Sequence, residues 1–521
     1  MLQKRVLNSI IVICFMFLLI YSMSYNGNNL SGNYIKSQRQ PQLSDTQSIL
    51  DTQEHKESTE NIIDTTFIEY ENALATIIDR GNKSFFSGYQ IDETFLSWFA
   101  NKYGQESLWD IANYIQDINS DVNKWYEITG KSIHVLWIEY CQDLNIYSYM
   151  THKVRYIDKN TSNKDITIDF VGDINFDNRW HTMKKAFSME NGIEDCFSET
   201  VKNELQSADI AVINHEFTFG DFDEALEGKD YVFQAPDESV KYYDMFGTDL
   251  VSIANNHIYD YGERGLLNTI EVLEGAGIDH IGAGKNIDEA SQTQYYIING
   301  RKIGIISATQ IEKFSHFTKE ATDKEAGVIK MYYPELFLEK VEKASKRCDY
   351  LLAFVHWGNE GTEFFEWDQV ELATKMVERG VDAIIGGHPH RLQGCEFIEG
   401  VPVAYSLGNF WFSTGDIYTS IAQINISEKG KIKMKMIPCL QENLITSIID
   451  EEYRFDKFYM YIGDISKQVG IDNDGTLHDL KNVNNSHKKD KYKYSSEKNY
   501  SKHSSNYDIH GNRIDRVGNL E

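Results

Sequence analysis

Five short apolar runs in this sequence stop at residues that bind metals or move protons. Ile166 to Val171 releases Gly172-Asp173-Ile174-Asn175, Ile210 to Ile213 releases Asn214-His215-Glu216, and Leu250 to Ala254 releases Asn255-Asn256-His257, with Asp260 and Gly262 just beyond. Tyr350 to Val355 releases His356-Trp357-Gly358-Asn359-Glu360, and Val381 to Ile385 releases Gly386-Gly387-His388-Pro389-His390. Singly, each has an ordinary explanation: Asp after Gly favours a turn, Asn-Asn-His can cap a helix, and His-Trp can pack. Together they place carboxylate, amide and imidazole donors at successive strand ends, where open α/β sheets keep their ligands. Oxygen and nitrogen donors without thiolate suit divalent Mn, Fe or Zn better than Ca. The donors exceed what one ion needs, so two metal ions sharing a carboxylate are expected. Such a pair sits about 3.5–4 Å apart, lowers the pKa of water and clamps the oxygens of an in-line displacement. A spare histidine beside it can give a proton to the leaving group.

These residues need a sheet to position them. Ile303 to Ser307 and Val403 to Ser406 add two more short apolar runs, and helical patterns intervene at Glu263 to Glu274 and Asp368 to Glu378, each ending at a glycine. Strands alternating with helices imply layered α/β architecture. Pro389 cannot extend a ladder, so its strand should end before it. If the backbone there stays extended, alternation sends His388 and His390 to one side, and the glycines let the chain pass close to a bound group.

The 521 residues allow more than one core, and 31 Tyr and 27 Phe among 41% hydrophobic residues supply the packing. A net charge of −28 excludes general nucleic-acid binding, which needs basic surface to displace phosphate counterions. Six scattered cysteines with no C-x-x-C spacing indicate neither a thiolate zinc site nor a disulfide framework.

Lys4 and Arg5 precede an uncharged stretch from Leu7 to Tyr25, about long enough to cross a bilayer with the body outside. No clear small-x-small cleavage site follows it. Residues 1–25 are therefore expected to be a single-pass membrane anchor and 26–60 a polar, disordered linker. Helical patterns at Ile62 to Arg80, Asp92 to Asn119 with a break near Gly104, and Asp121 to Gln142 make 61–150 a small all-α unit holding four of the eight tryptophans. The α/β domain should span 165–450, followed by a closing helix within 451–472. The stretch 473–521, rich in Asn, Ser, Lys and Asp, should be a disordered tail with solvated histidines.

In order, Gly172-Asp173, Asn214-x-Glu216, Ala254-Asn255-Asn256-His257-x-x-Asp260-x-Gly262, His356-Trp357-Gly358-x-Glu360, Gly387-His388-Pro389-His390 and Tyr405-Ser406-Leu407-Gly408-Asn409-Phe410 resemble the motif set of the CapA family. These are capsule or poly-γ-glutamate biosynthesis proteins related to calcineurin-like metallophosphoesterases. The resemblance covers about Asp165 to Ser413. It implies a four-layer α/β/β/α metallophosphoesterase-like sandwich with a two-metal site between its sheets. It further implies Asp173, Asn175, Glu216, Asn256, His356, His388 and His390 as metal ligands, with Glu216 bridging, and His257 as the catalytic proton donor. Asp260 and Glu360 would orient the ligands, and Arg179 and Asn409 would touch substrate. Two departures stand out: Asp173-Ile174-Asn175 replaces the phosphoesterase D-x-H, and Glu216 stands where the phosphoesterases bridge with Asp.

The leading expectation is a membrane-anchored, outward-facing, metal-dependent hydrolase-like protein serving synthesis or export of an anionic polymer such as poly-γ-glutamate, together with membrane subunits for capsule synthesis. A phosphoesterase acting on external phosphate esters, an amide or ester hydrolase that trims polymer, and a non-catalytic polymer-binding scaffold compete with it.

Overall fold

The computed structural model describes residues 93–115, 124–131, short stretches between 135 and 143, 154–157, 164–312, 317–481, 492 and 494–496. The expected anchor, the linker and the helix at Ile62 to Arg80 lie outside the described residues. Among those described, no helix is long and apolar enough to cross a membrane. The described residues all fall within one compact unit.

Two mixed sheets dominate. The first runs Val154–Ile157, Gln294–Ile298, Arg301–Thr309, Tyr350–His356, Ala383–Gly387, Val401–Ala404, Cys395–Ile398. The second runs Ile445–Ile448, Ile432–Glu442, Ile417–Ile426, Ile166–Ile174, Ile210–His215, Leu250–Ser252, Asp279–Ile281, with Asn409–Trp411 also paired to Ile166–Ile174. In each sheet the central strands are parallel, so their carboxyl ends open on one side.

Three cores define the layers. Strand residues facing inward from both sheets, including Phe170, Val212, Ile305, Phe354 and Ile385, share one cluster, with Phe170 and Phe354 edge to face at 5.4 Å. A polar tie crosses the same gap, Ser252 Oγ to Ser307 Oγ at 2.7 Å. The outer face of the second sheet packs on the helices Glu199–Ser207 and Gly262–Gly275 through Val201, Leu205, Leu266 and Ile270. The outer face of the first packs on Glu335–Ser345 and Trp367–Glu378 through Phe337, Val341, Ala373 and Met376. Helices therefore cover both outer faces of a pair of stacked sheets, because strands buried on two sides carry continuous apolar runs.

Three boundaries differ from expectation. Val154–Ile157, placed outside the α/β domain by the sequence reading, pairs in parallel with Tyr295 to Ile298 at the sheet edge. The helices Glu93–Tyr103 and Gln105–Ile115, broken at Gly104 (φ +91°), and Lys124–Thr129 precede it. They do not stand apart: Tyr126 Oη donates to the Asn299 carbonyl at 3.0 Å and its ring lies 4.6 Å from the Arg301 guanidinium. The helix Glu452–Ile465 closes the fold, but the stretch expected to be a disordered tail is partly ordered. Leu477–Asp479 and Tyr494–Ser495 flank Val469–Ile471 in a small antiparallel sheet. Leu477 and Tyr494 are few apolar residues in a polar stretch, yet both reach the inter-sheet core. His478 pairs with Asp472 at 2.6 Å instead of standing in solvent.

Asp169 lies fully buried on Ile166–Ile174, and burial, reinforced by the Glu204 carboxylate, pushes its pKa up to about 8 against a bond from Gln423. Between pH 4 and 8 the folded chain holds a proton that the unfolded chain has released, so this group's contribution to stability is lost as pH rises through that window. Asp169→Asn should stabilise the protein by roughly 2–4 kcal/mol at pH 8 and by little at pH 4, as read from urea denaturation at the two pH values.

Candidate metal centre

The parallel strands of both sheets deliver their terminal residues to one buried cluster. Along Ile210–His215 alternation decides the faces. Asn214 turns toward Asp173, donating from Nδ2 to Oδ1 at 2.7 Å, and lies 3.2 Å from Glu216 Oε2. His215 points the other way, among Phe217 and Phe219, with Nδ1 2.6 Å from Tyr243 Oη. From the first sheet, His356 Nε2 lies 2.8 Å from Asn256 Oδ1, 3.1 Å from His388 Nδ1 and 3.4 Å from Glu216 Oε1. His390 Nδ1 lies 3.1 Å from Asp173 Oδ2 and 2.8 Å from Asn409 Oδ1, while its Nε2 is 3.9 Å from Glu216 Oε1.

His388 and His390 converge by a different route from the extended one expected. The strand ends at Gly387, and both histidines take left-handed backbone, φ +97° and +56°. Such backbone on a residue with a Cβ costs of order 1–3 kcal/mol and persists where the surroundings over-determine it. Gly387 is equally constrained: a Cβ there would meet Asp173 Oδ1 at 2.9 Å and Asn214 Nδ2 at 3.5 Å. Gly387→Ala should therefore displace the Asp173 carboxylate and weaken divalent-metal uptake by about 10-fold or more, measured by Mn2+ titration.

The electrostatics favour a cation. Asp173 and Glu216 are fully buried. Burial, and then the neighbouring Asp173 charge, raises the Glu216 carboxyl well above its usual range. Burial likewise opposes ionisation of Asp173, but the bond and charge of His390 hold it below its usual value. Burial lowers His356 to about 3, and His388 well below its ordinary value, leaving both as neutral imidazoles, the form that ligates metal. Glu216 Oε1 makes no hydrogen bond although it is wholly enclosed. Two sets of donor atoms could each hold an ion, Asp173 with Glu216 and His356, and Glu216 with His388 and His390. Glu216 belongs to both, as expected of a shared carboxylate.

Other expected site residues occupy more varied positions. Asn256 joins the cluster through His356. Asn175, expected as a ligand, uses its Oδ1 to accept the Asp177 amide at 2.8 Å, an Asx turn that ties it to the local backbone. Asn409, expected to touch substrate, instead holds His390, because its strand pairs with Asp173 in register. The Arg179 guanidinium is engaged by Asp177 at 2.8 and 3.1 Å and by Tyr261 Oη at 2.9 Å. Asp260 accepts from His257 Nδ1 at 2.9 Å and from the Phe233 amide at 2.7 Å. Glu360, expected to orient a ligand, is exposed and makes no hydrogen bond among the described residues. Its influence is a negative charge that raises His390 and Glu216.

Sequence reading missed the groups beneath Asn256. Lys229 Nζ donates to the Asn256 carbonyl and lies 2.7 Å from Asp260 Oδ1 and 3.1 Å from Glu312 Oε1, and Thr318 Oγ1 is 3.0 Å from the same carbonyl. Gly228-Lys229-Asp230 carries no periodicity, and only the surplus of acids around His257 hinted that a cation was needed.

Residues 167–414 match the family described as bacterial capsule synthesis protein PGA_cap. The capsule biosynthesis protein CapA of Bacillus anthracis is 30% identical over 43% of this chain and 56% of its own length. The PGA biosynthesis protein CapA of Bacillus subtilis is 30% identical over 40% and 55%. The chain thus spans a little over half the length of these curated relatives. A 5'-nucleotidase from Candida albicans aligns over 52% of this chain and 48% of its own at 11% identity, with a TM-score of 0.28. Residues 167–414, the segment that builds the metal-ligand cluster, are thus similar to the PGA_cap, or CapA, family of bacterial capsule synthesis proteins.

Proposed function

We propose that this protein serves synthesis or export of an anionic capsular polymer of the poly-γ-glutamate kind through a divalent-metal hydrolase centre. The observation that carries the proposal is Glu216, buried, without a hydrogen bond at Oε1 and common to both donor sets. Asp173, Glu216, His356, His388 and His390 would hold the metal, with the Asn256 amide oxygen as a further donor. A bound divalent ion supplies Lewis-acid polarisation of a substrate oxygen and a lowered pKa for water.

The chain's own residues supply the rest. Asp260, which accepts from a backbone amide and faces Lys229, orients the His257 ring and fixes its proton on Nδ1. His257 Nε2 makes no hydrogen bond among the described residues and is the atom that would exchange a proton with the leaving group. Asn409 and Asp173 hold the His390 ring, which leaves its Nε2 toward Glu216. The membrane location, an outward-facing body and association with capsule-synthesis membrane subunits belong to the same proposal, supported by the uncharged stretch Leu7 to Tyr25.

The test is full-length protein, stripped and reloaded with Mn2+ or Zn2+, assayed on poly-γ-glutamate, a phosphomonoester and a phosphodiester. Metal-dependent cleavage of the polymer supports the reading. Cleavage of phosphate esters alone would replace it with a phosphoesterase, and polymer binding without turnover would replace it with a scaffold.

A further inference from the structure

Lys229 is enclosed by three oxygens: it donates a hydrogen bond to the Asn256 carbonyl and forms ion pairs with Asp260 and Glu312. Its side chain is 7% exposed, and its Nζ meets the Asn256 carbonyl, Asp260 Oδ1 and Glu312 Oε1. The three acceptors belong to different parts of the chain. Asn256 offers its side-chain oxygen to His356. Asp260 holds His257. Glu312 sits in left-handed backbone, φ +61°, just before residues 313–316, and its other oxygen is 2.5 Å from Thr318 Oγ1. The same Thr318 hydroxyl lies 3.0 Å from the Asn256 carbonyl, and its one hydrogen serves either acceptor.

We propose that Lys229 is the positioning residue of the metal centre, a three-way clamp that fixes the turn Asn255 to Asp260 so that the Asn256 amide and the His257 ring face the cluster together. This rests on the metal-centre reading for its consequence, though not for its geometry. A fully buried carboxylate, Asp260, and a partly buried one, Glu312, around a single lysine make charge a requirement, since an enclosed acid without a counter-charge is costly. Shape is a second requirement. A compact ammonium can address a carbonyl and two carboxylates in three directions, which a planar guanidinium cannot. The rest of the turn depends on the clamp: the His257 amide bonds Asn255 Oδ1 at 3.1 Å, and the Leu226 amide bonds the Asp260 carbonyl at 2.8 Å. Among the described residues Lys229 makes no hydrogen bond or ion pair with Asp173, Glu216, His388 or His390; apart from the field of its charge, which reaches His356 and His388, it acts on the site through Asn256 and the His257 turn.

The experiment compares full-length wild type, Lys229→Met and Lys229→Gln by two readouts. The first is amide hydrogen exchange of the peptide spanning 254–262 in metal-free protein, with strand 417–426 as internal reference. Lys229→Met should speed exchange in the turn by about 10-fold and leave the reference unchanged. The second is Mn2+ affinity followed by the EPR signal of bound Mn2+, which should weaken by about 10–100-fold, as outer supports of metal ligands typically do when lost. Lys229→Gln keeps a neutral donor on a shorter stem and should show the same two changes, so it carries the test if the Met variant does not fold. Unchanged exchange in the turn would overturn the clamp, as would faster exchange with unaltered Mn2+ affinity. If wild type binds no Mn2+, the metal reading falls and the exchange measurement alone decides on the clamp.

Discussion

Glu216→Gln should make the metal-free protein more stable and the metal-loaded protein hard to form. Without an ion, Glu216 is a buried acid beside Asp173, and burial and that neighbour raise its pKa well above the ordinary value. A raised carboxyl pKa is a contribution to stability present at low pH and lost as pH climbs through the folded value. A neutral amide of the same shape removes that loss, so the variant should gain about 1–3 kcal/mol at pH 8, and little at pH 4. With metal the sign reverses. The one carboxylate common to both donor sets is gone, and Mn2+ affinity should fall by at least about 100-fold, beyond the 10–100-fold that losing an outer support costs. Thermal melts with and without Mn2+ at pH 8 read both effects. A variant destabilised without metal, or one that still gains full stability from Mn2+, would contradict the role given to Glu216.

The second large effect concerns His257. Its ring is buried, tilted against Phe233 with centroids 4.5 Å apart, and tied to Asp260, but it belongs to neither donor set. His257→Ala should leave metal content unchanged and lower turnover by about 10²- to 10⁴-fold, the usual worth of a positioned general acid. Loss of metal together with activity would make His257 a ligand instead. Polymer binding that survives the change in a wild type without turnover would favour a scaffold.

Much of this centre was legible before folding, because the apolar runs are short, bounded by glycine and asparagine, and end in donors at the same relative place. Asp173, Glu216, Asn256, His356, His388 and His390 converge because parallel strands present their carboxyl ends on one side of a layered fold. What the sequence concealed depends on tertiary contacts. The left-handed backbone at His388 and His390 is imposed by packing around Asp173, which no local propensity for histidine would suggest. Asn409, expected to touch substrate, is seen to hold His390 only once its strand lies in register with Asp173. Lys229, Glu312 and Thr318 come from aperiodic segments. Strand Val154–Ile157 is four residues long and Leu477–Asp479 three, too brief for alternation to stand out in polar surroundings.

Convergence on a metal is the central claim, and diffraction from Mn-loaded crystals at the manganese edge tests it most directly. The expected result is anomalous density within coordination distance of Glu216 together with Asp173 and His356, or with His388 and His390. Density confined to other parts of the molecule, or its absence from a fully loaded crystal, would contradict the claim.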